Sequence, residues 1–483
     1  MKNDFLNETI EQLQQRLSEG ELTSRELVLI YLDRIATYDQ DGPNINSIAE
    51  INPDALFIAE SLDVERKEQG PRGPLHGIPV VLKDNIDTGD KMHTTAGSLA
   101  LKDHVAKNDS FVAEKLHEAG AVILGKANLT EWANFMTEGM PNGYSSRAGQ
   151  VLNPYGPGEI DTGGSSAGPG AAVAANFATV SIGTETSGSI LSPSSQHSLV
   201  GIKPTVGTVS RSGIIPISHT QDTAGPMAKT VADAVHVFQA IMGEDEKDAA
   251  TSKATPFFKQ ELSLRLKKDG LNGKRIGIAR ESYFDAIDEE KQKLMNEAIQ
   301  VLKSQGAEVF DITIPTTEHN WGLGVMIHEF KNSLNAYLKT ISSDVAVRSL
   351  DDVIDFHNQN EEETLKYGQK WFLEAQKTSG LLTDPDYLKE LLDDQRLSKE
   401  EGIDYTLDEH KLEAIVFPNN IGAGIPAKAG YPSITVPVGL TKKNEPVGIT
   451  FTGTAFSEPT LIEIAYGYEQ ASQKRVAPKL NSK

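Results

Sequence analysis

Residues 161–190, DTGGSSAGPGAAVAANFATVSIGTETSGSI, restrict the fold of this chain more than any other stretch. They open on a Gly/Ser knot at 163–168 and continue in an Ala-rich run at 171–178. A short apolar alternation at 180–184 follows, and a second Gly/Ser turn at 186–190 closes the stretch. Alanine loses no side-chain entropy in a helix, so 171–178 is expected to be helical. The alternation at 180–184 is expected to be a buried strand. Two small-residue turns bracketing one helix–strand unit bring two sets of hydroxyls and bare backbone amides together. Such a pairing suits chemistry at a serine hydroxyl.

Around that unit, strand and helix patterns alternate. Residues 4–38 read as two amphipathic helices, with Phe5, Leu6, Ile10, Leu13 and Leu17 on one face and Leu27, Ile30, Tyr31 and Ile35 on another. Thr23 and Glu26 have the spacing of a capping box. The apolar run at 77–82 stops abruptly at Lys83, and a lysine at such a strand end ordinarily snorkels to water. Helix is expected at 109–119, strand at 121–125 and helix at 126–135, before a Gly/Pro-rich loop at 139–157. A polar turn near 193–198, a buried segment at 199–202, a helix at 231–242 and a charged surface excursion at 244–254 come next. Residues 275–314 have a β-α-β pattern, and 320–402 are helical and rich in charge, as in an excursion or lid. Apolar runs at 414–418, 433–438 and 447–452 read as closing strands, and 458–471 as a last helix. Alternation throughout means an α/β layered architecture. The strands after 410 continue a sheet begun before 100. The expectation is therefore one large α/β/α domain over 1–483, with a central mixed, twisted sheet covered by helices. Within it lie N-terminal helices at 1–65, a core at 66–242 and the helical excursion at 320–402.

Composition removes several function classes. A net charge of −22 argues against a nucleic-acid surface, which needs clustered Lys and Arg. With no cysteine there is no disulfide, thiolate nucleophile or Cys-bound metal. No HExxH motif occurs and no histidine pair is spaced i, i+4, so no metal and no cofactor are expected. The N-terminus lacks the basic and apolar regions of a signal peptide, and no run is long enough to span a membrane. A cytoplasmic protein, monomer or homodimer, is expected.

Nucleophilic serine remains. Residues 164–168, GSSAG, match the G-x-S-x-G string of α/β-hydrolases at Ser166, but Pro, Gly and polar residues stand where a strand should precede it. Among the histidines, His219, His319 or His410 could be nominated as partner, and nothing distinguishes one of them. The other route uses lysine as base, which requires a neutral amine and hence burial. Lys83 is a candidate base and Ser189 a candidate nucleophile, with outward backbone N–H groups of the 186–190 turn as an oxyanion hole.

The motifs GGSSAG and GTETSGSI, with LHGIPVVLKDNIDT upstream and GIKPTVGTVSRSGIIP downstream, resemble the amidase signature family over about 20–475. Ser189 follows Ser165 by the family spacing of 24 residues. The resemblance implies that Ser189 is the acyl-forming nucleophile, Ser165, in a cis peptide bond, the proton relay, and Lys83 the neutral base. Backbone amides of Thr186, Ser187, Gly188 and Ser189 would form the oxyanion hole, with Ser166 and Glu185 in support. LTEWANF, GYPSITVPVG and PVGITFTGTAF further resemble the bacterial peptide amidases of that family. The implied substrate is a small-molecule or peptide amide, and the implied alternative is the catalytic subunit of a tRNA-dependent amidotransferase. Met136, Thr137, Tyr144 and Gln196 are expected near the substrate. The chain departs from the family pattern at Ala167, Pro169, Leu191 and the polar 194–198 segment, which bears on substrate preference.

Overall fold

Eleven strands form one sheet, and the order in which they lie explains why distant parts of the chain meet. In chain order the strands are β1 (Ile48–Ile51), β2 (Pro79–Lys83), β3 (Val122–Ala127), β4 (Tyr144–Ser145), β5 (Gly149–Gln150), β6 (Val180–Glu185) and β7 (Val200–Lys203). They continue as β8 (Thr223–Ala228), β9 (Arg275–Ala279), β10 (Glu308–Ile312), β11 (Ala414–Pro418), β12 (Ser433–Leu440) and β13 (Pro446–Thr452). The sheet runs β1-β3-β2-β6-β8-β7-β12-β13-β11-β9-β10, and β4 with β5 makes a separate small hairpin. β2, β3 and β6 are parallel neighbours, as are β9, β10 and β11, while β12 and β13 join the halves antiparallel. This mixed sheet with helices packed on it is the expected α/β architecture. The computed structural model describes residues 5–480, so the ends of the expected 1–483 domain lie outside the described residues.

The core follows from the strand sequences. β2, β3, β6 and β11 are buried at every position, which suits apolar runs covered on both faces. Both N-terminal helices form, at Ile10–Glu19 and Ser24–Arg34, each with a complete capping box. Arg34 then donates to the carbonyls of Ala175 and Asn176, tying this pair to the central unit. The central helix spans Ala167–Ala174, earlier than expected, and is buried on all sides. A Cβ on Gly168 would meet the Asn128 carbonyl oxygen at 2.1 Å, so the helix approaches the end of β3 as only a glycine allows.

Several expected elements differ. No helix runs through 126–135, because β3 continues to Ala127 between β1 and β2. Trp132, Ala133 and Asn134 then take left-handed backbone conformations (φ 50°, 52° and 68°) that no α-helix accommodates. The polar turn near 193–198 begins as a short helix, Leu191–Gln196. The 244–254 segment lies at the surface as expected, with Glu244, Glu246, Lys247 and Lys253 exposed, but Asp248, which binds Arg211, and Thr251 are buried and anchor it. Residues 320–402 are helical, and they carry their own apolar core, in which Phe330, Leu334 and Phe372 pack on Trp132, Phe135 and Met136. Among the described residues no helix is long and apolar enough to cross a membrane.

Candidate active site

β2 delivers Lys83 between β3 and β6, where the side chain is fully buried instead of snorkelling. Its Nζ lies 2.7 Å from Ser165 Oγ, 2.9 Å from Thr184 Oγ1 and 3.2 Å from the Thr184 carbonyl oxygen. A neutral amine has two N–H groups and one lone pair. An amine that gave both to Thr184 would turn that pair toward the Ser165 hydroxyl. Burial pushes the Lys83 amine down to about 7, against the opposing pull of the Glu185 and Asp222 carboxylates. Asn85, two residues along, donates from Nδ2 to the same Thr184 hydroxyl at 3.0 Å.

The two Gly/Ser turns do come together. The Gly164–Ser165 peptide is cis. Ser166 N–H donates to the Ser189 carbonyl at 3.2 Å, joining the first turn to the second. The Ser166 hydroxyl donates to the Thr184 carbonyl at 3.1 Å and accepts from the Thr184 N–H at 3.3 Å. Held so by backbone groups, and preceded by no strand, Ser166 does not fit the α/β-hydrolase elbow. Nor, among the described residues, does a nominated histidine bond to Ser166: His219 pairs with Glu329, His319 lies edge-on to Trp321, and His410 ends the Asp404–His410 helix.

Glu185 organises the second turn. Its carboxylate accepts the N–H groups of Gly188 (2.7 Å), Ile190 (2.7 Å) and Leu191 (3.0 Å). The Gly188 N–H, expected in the oxyanion hole, is thus already engaged, and this narrows the expected donor set. The N–H groups of Thr186, Ser187 and Ser189 have no intramolecular acceptor among the described residues. Gly188 has φ +83°, a left-handed value that turns the chain back over Ser189. Ser189 is buried to 9% exposure at the end of this turn. On the opposite side, the Thr186 hydroxyl donates to Asp222 Oδ1 at 2.5 Å, and Gln221 Nε2 donates to the Thr186 carbonyl at 3.3 Å.

A cavity of about 590 Å³ opens beside this arrangement, with Asn85, Thr184, Thr186 and Asp222 in its lining. Ile214, Ile215 and Ile217 give it an apolar side, and Tyr337 on the helix Gly324–Leu338 closes another. Two charged groups of the lining are already matched: Arg211 by Asp248 (2.5 Å), and Asp87 by the Tyr337 hydroxyl (2.9 Å). Met136, Thr137 and Tyr144 lie elsewhere, against residues 367–371 of the helical region. There the Met136 carbonyl accepts from Trp371 N–H (3.1 Å), Thr137 Oγ1 donates to the Tyr367 carbonyl (3.3 Å), and the rings of Tyr144 and Tyr367 meet edge-on. Gln196 sits at the end of its short helix with its carbonyl accepting from Asn153. None of these four lines the cavity. Asn85 and Asp222, which do, escaped the sequence reading. Proximity to Lys83 could have suggested Asn85, and Asp222 lies in GIIPISHTQDTAGPM, a segment that resembles the peptide amidases without singling out the carboxylate.

Residues 26–462 match the Amidase family. A probable amidase of Arabidopsis thaliana is 43% identical over 487 residues, covering 98% of this chain and 91% of that protein. The structure of native peptide amidase from Stenotrophomonas maltophilia superposes with a TM-score of 0.93 at 42% identity, over 99% of both chains. A glutamyl-tRNA(Gln) amidotransferase subunit from Thermoanaerobacter pseudethanolicus is 32% identical over 98% of each chain. With likeness of this extent in sequence and in fold, the chain belongs to the amidase family and is an amide-hydrolysing enzyme.

Proposed function

We propose that the enzyme cleaves the terminal carboxamide of peptides and related uncharged amides through an acyl-enzyme at Ser189. The observation that carries this reading is the buried Lys83 amine, within 2.7 Å of Ser165 Oγ and held by Thr184. As Lys83 draws the proton of Ser165, the Ser165 oxygen takes the proton of Ser189, and Ser189 Oγ attacks the carbonyl carbon. The N–H groups of Thr186, Ser187 and Ser189 stabilise the oxyanion. Collapse breaks the C–N bond, and the leaving nitrogen receives the proton back through Ser165. Water then attacks the ester, giving its proton to the same Lys83–Ser165 pair, and the acid departs. The balance is amide plus water to acid plus ammonia. A cavity with an apolar side formed by Ile214, Ile215 and Ile217 supports an acyl group with apolar surface. The likeness to a peptide amidase supports a peptide.

The decisive assay measures ammonia release by the purified chain from a panel of C-terminally amidated peptides, with simple amides and glutamine alongside. Ser189→Ala and Lys83→Ala are each expected to lose activity by about 10³-fold or more, while circular dichroism stays unchanged. Wild-type activity in Ser189→Ala would refute the assignment. Glutamine turnover only upon addition of a partner protein would favour the amidotransferase reading, which the 32% relative keeps in view.

A further inference from the structure

The helical region is joined to the oxyanion turn by a continuous run of hydrogen bonds through a second buried carboxylate. Glu329, on the helix Gly324–Leu338, is fully buried. Its Oε2 accepts the Ser218 hydroxyl, the Thr220 N–H (3.2 Å) and the Thr220 hydroxyl (3.0 Å). Its Oε1 accepts the hydroxyl of Tyr387, from the helix Pro385–Ser398, at 3.0 Å, and faces His219 Nε2 at 3.4 Å. The same short loop is gripped from the other side. Asp222 Oδ2 accepts the N–H groups of Ile217 and Ser218, both at 2.8 Å, and its Oδ1 accepts the Thr186 hydroxyl. Gln221 adds its bond to the Thr186 carbonyl. Residues 217–222 are thus held between one carboxylate from the helical region and one that holds Thr186.

A buried carboxylate is costly unless its oxygens are met by donors. Glu329 meets that condition only if the loop and the Pro385–Ser398 helix both stay in place. The cost of disengaging any one partner locks the loop in a single position. The loop in turn supplies Asp222, and Asp222 with Glu185 fixes the two sides of the turn that carries the free N–H groups.

We propose that Glu329 is a positioning residue for the oxyanion turn, acting through Ser218, Asp222 and Thr186, and that this is how the 320–402 region contributes to catalysis. The proposal rests on the Ser189 acyl-enzyme reading. Displacing oxyanion donors by a fraction of an ångström weakens binding of the transition state while leaving the substrate's own contacts in the cavity in place.

The test uses the full-length enzyme and one amidated peptide. Glu329→Gln replaces an acceptor-only group with one that must aim an N–H at donors, and Tyr387→Phe removes a single donor from the helical side. Both are expected to lower kcat, about 10- to 100-fold for Glu329→Gln and less for Tyr387→Phe, with KM changed by less than about twofold. A peptide aldehyde, which forms a tetrahedral adduct on serine, should lose affinity for Glu329→Gln by the same factor as kcat. The corresponding peptide alcohol, which forms none, should bind as before. Thr186→Val combined with Glu329→Gln should be no worse than the more severe single variant, since both act at one turn. A Glu329→Gln enzyme with wild-type kcat, or one that loses KM and alcohol affinity together with kcat held, would overturn the proposal. Wild type that neither releases ammonia nor forms the aldehyde adduct would instead overturn the acyl-enzyme reading, and this inference with it.

Discussion

Lys83 sets the pH at which the proposed chemistry runs. Its amine is a base only when neutral, and burial pushes it to about 7. We expect kcat/KM to rise about tenfold per pH unit below pH 7 and to level off above it, in a profile taken from pH 5 to 9. Lys83→Arg should lose activity at every pH, because a guanidinium cannot give up its proton in a protein. A profile flat through pH 6 to 8 would exclude this lysine as the base. Lys83, Ser165 and Ser189 were legible in the sequence because their motifs and spacing are fixed along the chain. Asn85, Asp222 and Glu329 were not, since their roles depend on partners 99, 36 and 111 residues away in Thr184, Thr186 and Ser218. Burial of Lys83 itself was also undecidable from the apolar run before it. The same run ends equally well at a solvated amine, and only the flanking strands exclude water.

The central helix gives a test at the scale of an element. Its Gly168 meets the backbone of Asn128, so Gly168→Ala must shift the helix or the end of β3. We expect a loss of about 1–3 kcal/mol in chemical denaturation, together with reduced activity because Ser165 and Ser166 lead directly into that helix. An alanine variant as stable as wild type would mean that the packing here is loose. Long, periodic elements such as the Glu289–Ser304 helix were readable from side-chain pattern alone. β8 was not, for it is made of Thr223, Ala224, Gly225, Pro226, Met227 and Ala228, and it contains a proline inside the sheet. On β8, β7 pairs only with Met227 and Ala228, so Pro226 lies beyond the end of that ladder. Such a strand is specified by its neighbours and hardly at all by its own residues.

Across the whole molecule, buried amines make stability depend on alkaline pH. Lys83 and Lys229 are pushed by burial to about 7, and Lys203 to about 8. In the unfolded chain each returns to about 10.4, so between pH 7 and 10 the unfolded state binds more protons. Stability should therefore rise with pH from 7 to 9, by as much as about 1.4 kcal/mol per pH unit for each amine fully neutral when folded. Glu131 and Glu469, raised to about 7, are half protonated at pH 7 and offset much of the slope there, so the rise steepens from pH 7 to 8. Urea midpoints at pH 7, 8 and 9 for wild type and Lys229→Met measure the contribution of one amine: the variant should gain less with pH, and equal gains would contradict a neutral, buried Lys229. By itself the sequence determined the layered α/β class and singled out Lys83, Ser165 and Ser189 as candidates for the proposed chemistry, because periodicity and motif spacing are properties of neighbouring residues. Only the tertiary structure decided that Lys83 is buried, that Gly188 has given its N–H to Glu185, and that Glu329 of the 320–402 helices grips the loop that holds Thr186. Desolvation and hydrogen-bond partnership depend on which segments enclose a group, and here those segments lie far apart along the chain.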